Sequence, residues 1–150
     1  MKIGDFKGEA KEGKHKDWIE IDSWSLGAVR SVSAGGKGMV AQGDTMVHDV
    51  TISKGFDLSS PSLFRYCCQG PDESGKGKDV TIELTDDTQK RTVYLTITLK
   101  NAAISSYSVS GGGQTPGESI TLAFSNIEMK YSPPAGTSEM KYDLNSKEAN

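Results

Sequence analysis

The strongest constraint on the fold is a pair of alternating stretches joined by a polar turn. In DVTIELT, Val80, Ile82 and Leu84 share one face of a strand; in RTVYLTITLK, Val93, Leu95, Ile97 and Leu99 do the same, with Tyr94, Thr96 and Thr98 opposite. DDTQ between them supplies turn residues, so the two stretches predict a β-hairpin. AISSYSV predicts a continuing strand, GGGQTPGE a turn, and SITLAFSNIEMKY a last long strand. There the apolar phase runs through Ile120, Leu122 and Phe124, then moves to Ile127, Met129 and Tyr131. A change from even to odd positions marks a bulge or sharp bend near Ser125 and Asn126, the device that turns a barrel corner.

The first half is less regular. DWIEIDSWSL predicts a strand with Trp18, Glu20, Asp22, Trp24 and Leu26 on one face and Ile19, Ile21, Ser23 and Ser25 on the other. Both faces are partly apolar, which suits a barrel or a sandwich. Val47 to Lys54 predicts the next strand, with His48, Val50 and Ile52 on one face. SSPSLFRYCCQG predicts the one helix: Ser59 or Ser60 to accept from orphan N–H groups, Pro61 in the first turn, Gly70 to stop it. The i, i+4 pairs Leu63 with Cys67 and Phe64 with Cys68 form its apolar stripe. Residues 29–45 are rich in Gly and Ser with little periodicity, and they read as an extended loop. A loop of that length is functional or disordered. Val32, Met39 and Val40 would be awkward in solvent, so the segment reads as a docking arm that orders against a partner. Beyond Pro133 and Pro134 the pattern fades, and residues 135–150 read as a C-terminal tail in which Met140, Tyr142 and Leu144 dock locally.

Composition narrows the function. A chain of 150 residues fits one domain, here residues 1–134, with a core large enough to fold without disulfides or metal. With 17 basic and 20 acidic residues, the net charge of −3 leaves no electrostatic footprint for nucleic acid or an anionic membrane. The opening MKIGDFKGEAKEGK lacks a signal peptide's apolar core and no stretch is long enough to span a bilayer, so synthesis in the cytoplasm is expected. Gly70, Gly75 and Lys76 fit part of a phosphate loop. Gly77 stands where a hydroxyl must bind magnesium, however, and a helix precedes the motif where a strand is needed. His15, His48, Cys67 and Cys68 lack zinc spacing, and adjacent cysteines point apart on a helix and read as reduced thiols. No G-x-S-x-G elbow occurs, and Asp86 and Asp87 read as turn residues. His15 reads as a solvated loop histidine. No cofactor, metal or catalytic site is expected.

The succession HKDWIEIDSWSLG, SPSLFRYCCQG and ISSYSVSGG, within an order covering about residues 3 to 134, resembles the Hcp (haemolysin-coregulated protein) family, the tube-forming proteins of bacterial type VI secretion. Between Gly70 and Val80 the chain departs from the family pattern: PDESGKGKD stands where a short GKH-like connection is usual, and it looks like an insertion. The resemblance implies an all-β fold with one short α-helix, two packed antiparallel sheets forming a β-barrel or sandwich, and assembly as a six-subunit ring. It implies rings stacked into a secreted tube that can carry effectors in its lumen, with spike, sheath and effector proteins as partners and export without a signal peptide. Gly35, Gly36 and Gly38 would let the arm bend, and Val32, Met39 and Val40 would anchor it on another subunit. Gly111, Gly112 and Gly113 are candidates for a turn on the ring face. A rival from another class is a monomeric β-sandwich module that binds carbohydrate through Trp18 or Trp24.

Overall fold

Alternation in the sequence becomes strand along most of the chain. A computed structural model describes residues 1–35, 38–88 and 90–149. It runs β1 (Lys2–Ile3), a 3₁₀ turn (Gly13–His15), β2 (Ser23–Ser25), β3 (Ala28–Gly35), β4 (Gly38–Val47), β5 (Val50–Gly55) and α1 (Ser60–Gln69). It continues with β6 (Lys78–Thr85), β7 (Val93–Ser110), β8 (Gly117–Ala123), β9 (Asn126–Tyr131), β10 (Ser138–Asp143) and β11 (Glu148–Ala149). All strand pairs are antiparallel.

The expected β6–β7 hairpin is present, and Asp86 closes its turn by accepting from the Thr92 N–H at 2.9 Å. The strand expected to continue through AISSYSV does so: β7 runs 18 residues and serves two sheets. Leu95–Lys100 pairs with β9 and Val93–Ala102 with β6, while Ala103–Ser110 pairs with β8, which leads to β5 and β2. At the corner, Asn101 takes a φ of 52° and the buried phase switches from Ile97 and Leu99 to Ala102 and Ile104. The break expected near Ser125 lies beside it, between β8 and β9, where the Ser125 N–H donates to the Lys100 carbonyl at 3.0 Å. The sheets face each other across one core that includes Val50, Ile52, Ile120 and Leu122 from one side and Val80, Ile82, Ile97, Leu99 and Ile127 from the other. The edge strands β2 and β11 do not pair with each other, so the sandwich does not close into a barrel.

Several expectations are corrected. The described residues of 29–45 are not a loop: 29–35 belong to β3 and 38–45 to β4. The segment read as a tail does more than dock locally: β10 pairs with all of β9 from Ser138 opposite Tyr131 to Asp143 opposite Asn126. Of the strand expected over residues 17–26, Ser23–Ser25 forms; upstream, Asp17 has a φ of 64° and the Gly8, Ala10 and Met1 backbones bond to Asp17, Trp18 and Ile19. His48 lies outside β5 and is exposed, and the buried face of β5 is Val50, Ile52 and Lys54.

The helix has Pro61 in its first turn and Gly70, with φ 73°, at its end, as expected. Its stripe is rotated from the expected one: Leu63 and Tyr66 are buried, while Phe64 and Cys68 are exposed. The reason is polar. The Tyr66 hydroxyl donates to the Ala102 carbonyl at 2.8 Å and accepts the Lys78 N–H at 3.1 Å, which turns that face onto the corner of β7. Neither Ser59 nor Ser60 caps the helix in the expected way. The Ser59 hydroxyl donates to Asp57, and the Ser60 hydroxyl accepts from the Asp57 N–H at 2.9 Å and donates to Glu118 at 2.7 Å.

Lys54 is the centre of this network. Its side chain is fully buried, and Nζ donates to Glu118 at 2.6 Å, Asp57 at 2.9 Å and the Gly55 carbonyl at 2.7 Å. The Glu118 carboxylate also accepts from Tyr107. Burial raises the Asp57 carboxyl's pKa, and the Ser59 and Lys54 hydrogen bonds outweigh it, leaving the group below its ordinary range. Removing one member of a buried, satisfied ion pair strands the other. Lys54→Ala should therefore cost about 3–5 kcal/mol, read as a lowered denaturant midpoint. Tyr66→Phe, which leaves the Ala102 carbonyl and Lys78 N–H without their partner, should cost about 1–3 kcal/mol in the same assay.

Candidate assembly surface

β3 and β4 pair with each other and, among the described residues, with no other strand. The β-branched residues Val29, Val32, Val40, Thr45 and Val47 favour extended backbone. The described tip pair is Gly35 opposite Gly38, whose φ of 124° favours glycine. Nearer the root a bulge sets Arg30 against residues 43–45, and Gly43 takes a φ of 76° within it. The His48 N–H donates to the Gly27 carbonyl at 2.8 Å and closes the root. Lys147 in the C-terminal turn forms an ion pair with Asp44 and lowers its carboxyl pKa, tying the hairpin to that turn.

Cross-strand partners and residues two apart project to the same face. Val32 lies opposite Ala41 and Ala34 opposite Met39, so one face of the hairpin's outer half is Val32, Ala34, Met39 and Ala41. Val40, opposite Ser33, projects to the other face. Met39 is 71% exposed, Val32 56% and Val40 51%; Val29 and Met46, paired nearer the root, are exposed as well. An isolated two-stranded ribbon is marginal in water, and neighbouring exposed apolar side chains are the material from which interaction surfaces are built. Of the sequence-designated residues, the structure thus brings Val32, Gly35, Gly38, Met39 and Val40 onto one projecting ribbon. Gly36 lies outside the described residues.

Gly111, Gly112 and Gly113 are far from the hairpin in sequence and lie in the exposed turn between β7 and β8, where a Cβ at any of them would meet no neighbour. A second apolar surface, not anticipated from sequence, flanks the helix. Exposed Phe64 stands edge-on to Tyr107 with ring centroids 5.3 Å apart, and exposed Val109 follows on β7. Phe56 and Leu58, also exposed, lie on the approach to the helix. At the hairpin root an open groove is lined by Leu26, Ala28, Val47, Ile127, Met140 and Tyr142.

The residues weighed for chemistry are accounted for structurally. The stretch Gly70–Lys76 is a polar turn in which the Asp72 carboxylate accepts the Ser74 and Lys76 N–H groups, each at 2.9 Å. Cys67 and Cys68 are free thiols. Trp24 packs against the core, and Trp18 is half-buried, edge-on to His15. His15 is not solvated as expected; it lies between two carboxylates. Among the described residues no helix is long and apolar enough to cross a membrane.

A family profile described as type VI secretion system effector, Hcp, matches residues 1–131. Protein hcp1 of Pseudomonas aeruginosa is 34% identical over 135 residues, covering 89% of this chain and 82% of that protein. The crystal structure of Hcp2 from Salmonella typhimurium is 28% identical with a TM-score of 0.71, covering 98% of this chain and 95% of that one. Another solved structure, described as a type six secretion system protein, shares the fold with a TM-score of 0.84 at 21% identity, covering 99% of this chain and 96% of that one. The family match over residues 1–131, the 34% identity to a relative and the shared fold agree: the chain belongs to the Hcp family, the tube proteins of type VI secretion.

Proposed function

We propose that this chain is a structural tube subunit that closes into six-membered rings, which stack into a tube able to carry effector proteins in its lumen. The observation that carries this reading is the projecting hairpin with its uncovered apolar face of Val32, Ala34, Met39 and Ala41. That surface and the one around Phe64 and Val109 lie on different elements and differ in shape, a ribbon against a helix-backed sheet. Two unlike sticky surfaces on one chain favour heterologous, head-to-tail contact, which makes a ring when its rotation closes.

The function is mechanical and not catalytic. Subunits are made in the cytoplasm and leave through the secretion machinery, with spike, sheath and effector proteins as partners. Lateral contacts that survive propulsion need more than about 1,200 Å² in total, while contacts between rings are smaller and release more readily. Gly35 and Gly38 let the hairpin tip bend toward a neighbouring subunit, Val32, Met39 and Val40 anchor it there, and the Gly111–Gly113 turn meets the next ring.

The test is the double variant Val32→Asp with Met39→Asp, compared with the unmodified protein by sedimentation velocity. Charge on the apolar face should shift the mass from a ring toward the single 16.1 kDa chain. Its β-type circular dichroism and melting temperature should change little, because substitutions of exposed residues usually stay within about 0.5 kcal/mol. Rings of unchanged mass would remove the hairpin from the assembly.

A further inference from the structure

His15 sits at the tip of a loop that closes on itself at its base. The Gly8 N–H donates to the Asp17 carbonyl at 2.9 Å, the Ala10 N–H to Trp18 at 3.0 Å, and the Asp17 N–H back to Ala10 at 2.9 Å. A side chain at Gly8 would collide with the backbone of Trp18 and Ile19. The base is held at two further points. Glu9 accepts the Leu58 N–H at 3.0 Å, and the Ile19 N–H donates to the Met1 carbonyl at 2.8 Å. The tip has no such anchorage: the 3₁₀ turn buries none of its residues, and Lys11, Lys14, Lys16 and Asp17 are exposed. Among the described residues, the tip's hydrogen bond to the sheet is that of one side chain, His15.

The ring of His15 has a carboxylate on each nitrogen. Nδ1 faces Glu12 of its own turn, and Nε2 faces Glu83 of β6 at 2.6 Å. A neutral imidazole carries one N–H and so can serve one carboxylate; serving both needs the doubly protonated ring. We propose that residues 9–18 form a pH-sensitive latch on β6, shut by the His15 imidazolium between Glu12 and Glu83 and released when the ring loses a proton.

Released, one nitrogen turns a lone pair toward a carboxylate: the ring gives up either Glu12 or Glu83, the bond that stays loses its charge assistance, and the tip's one side-chain hold on the sheet is weakened or lost. Segments with few buried contacts open at low cost. Burial lowers the His15 pKa, but hydrogen bonds to Glu83 and Glu12 outweigh it and hold the group above its ordinary 6.5. A group raised on folding stabilises fully below its unfolded value, and that contribution disappears as pH rises through the folded one. On the acid side the hydrogen bond from His15 holds the Glu12 carboxyl below its ordinary range, so its share is lost as pH falls through that lowered value.

Other charges border the same cavity of about 350 Å³: Glu20, Asp22, Arg91 and the Met1 amino group. Glu20 and Asp22 favour the imidazolium and Arg91 opposes it. Burial lowers the Met1 amine to about 6, against the pull of Glu83 and Glu20, so it titrates nearby and has to be separated from His15 by experiment.

Deuterium exchange at the imidazole carbon, read by mass spectrometry on the full chain, gives the His15 midpoint, with exposed His48 as an internal reference. Amide exchange of the peptide spanning residues 9–18, corrected for intrinsic rate, reports the latch. The expected result is a His15 midpoint above 6.5, with amide protection falling about tenfold or more across it, the worth of a charged hydrogen bond. Glu83→Gln should move both transitions to lower pH, with unchanged circular dichroism showing that the variant is folded. A midpoint at or below 6.5, or protection unchanged across it, would overturn the latch. So would a transition that persists in His15→Gln, which would belong to the Met1 amine.

Discussion

One strand, β7, carries the architecture. A backbone ladder is satisfied only when its neighbours lie alongside, so a strand of 18 residues dictates where every partner must run. At Asn101 it bends, and three separate chain segments meet there. The Gly77 N–H donates to the Asn101 side-chain oxygen at 2.6 Å, and the Asn101 amide donates to the Ser125 hydroxyl at 2.8 Å. Tyr66 bonds to the next carbonyl, that of Ala102. Gly77 is glycine because any Cβ there would run into the Ala102 carbonyl. The corner thus sets the angle between the sheets, locates the helix and breaks β8 from β9 at the matching point.

Away from that corner the chain divides its apolar residues between two uses. Isoleucine, leucine and valine fill the space between the sheets, while Val32, Met39, Val40, Phe64 and Val109 are left outside. Lys54 and Glu118 sharpen the division by occupying two buried strand positions. A buried pair of charges contributes less net stability than apolar residues of the same volume, but it punishes any arrangement that separates its members. Here it ties β5 and β8, through Ser60, to the start of the helix, the element that presents the second apolar surface. The interior is built to hold that surface in place.

Legibility in the sequence followed contrast between faces. The β6–β7 hairpin was readable because one face of each strand is buried and the other is not, and the phase change at Ser125 was readable because both halves of that stretch are strongly apolar. The β3–β4 hairpin was not. With nearly every residue on both of its faces exposed, it has no periodicity to detect, and its glycines imitate a loop. β10 is similarly polar, so nothing in its sequence sets it apart from a tail. Lys54 stands in the apolar phase of β5 but is charged, and its burial rests on Asp57 nearby and on Glu118, a strand partner far away in sequence. His15 is bound to Glu83, which is 68 residues away, a separation no local pattern reports. Val32, Met39 and Val40 stand out in the arm by their apolar character, but that Val32 and Met39 share one face while Val40 takes the other depends on a register that the sequence does not display.

The central claim is that this fold exists to be repeated around an axis. It is tested most directly by light scattering coupled to size-exclusion chromatography, with electron microscopy of the same peak. The account predicts a mass near six times 16.1 kDa and annular particles with sixfold symmetry. A single-chain mass that persists at high concentration, with no annular particles, would contradict it.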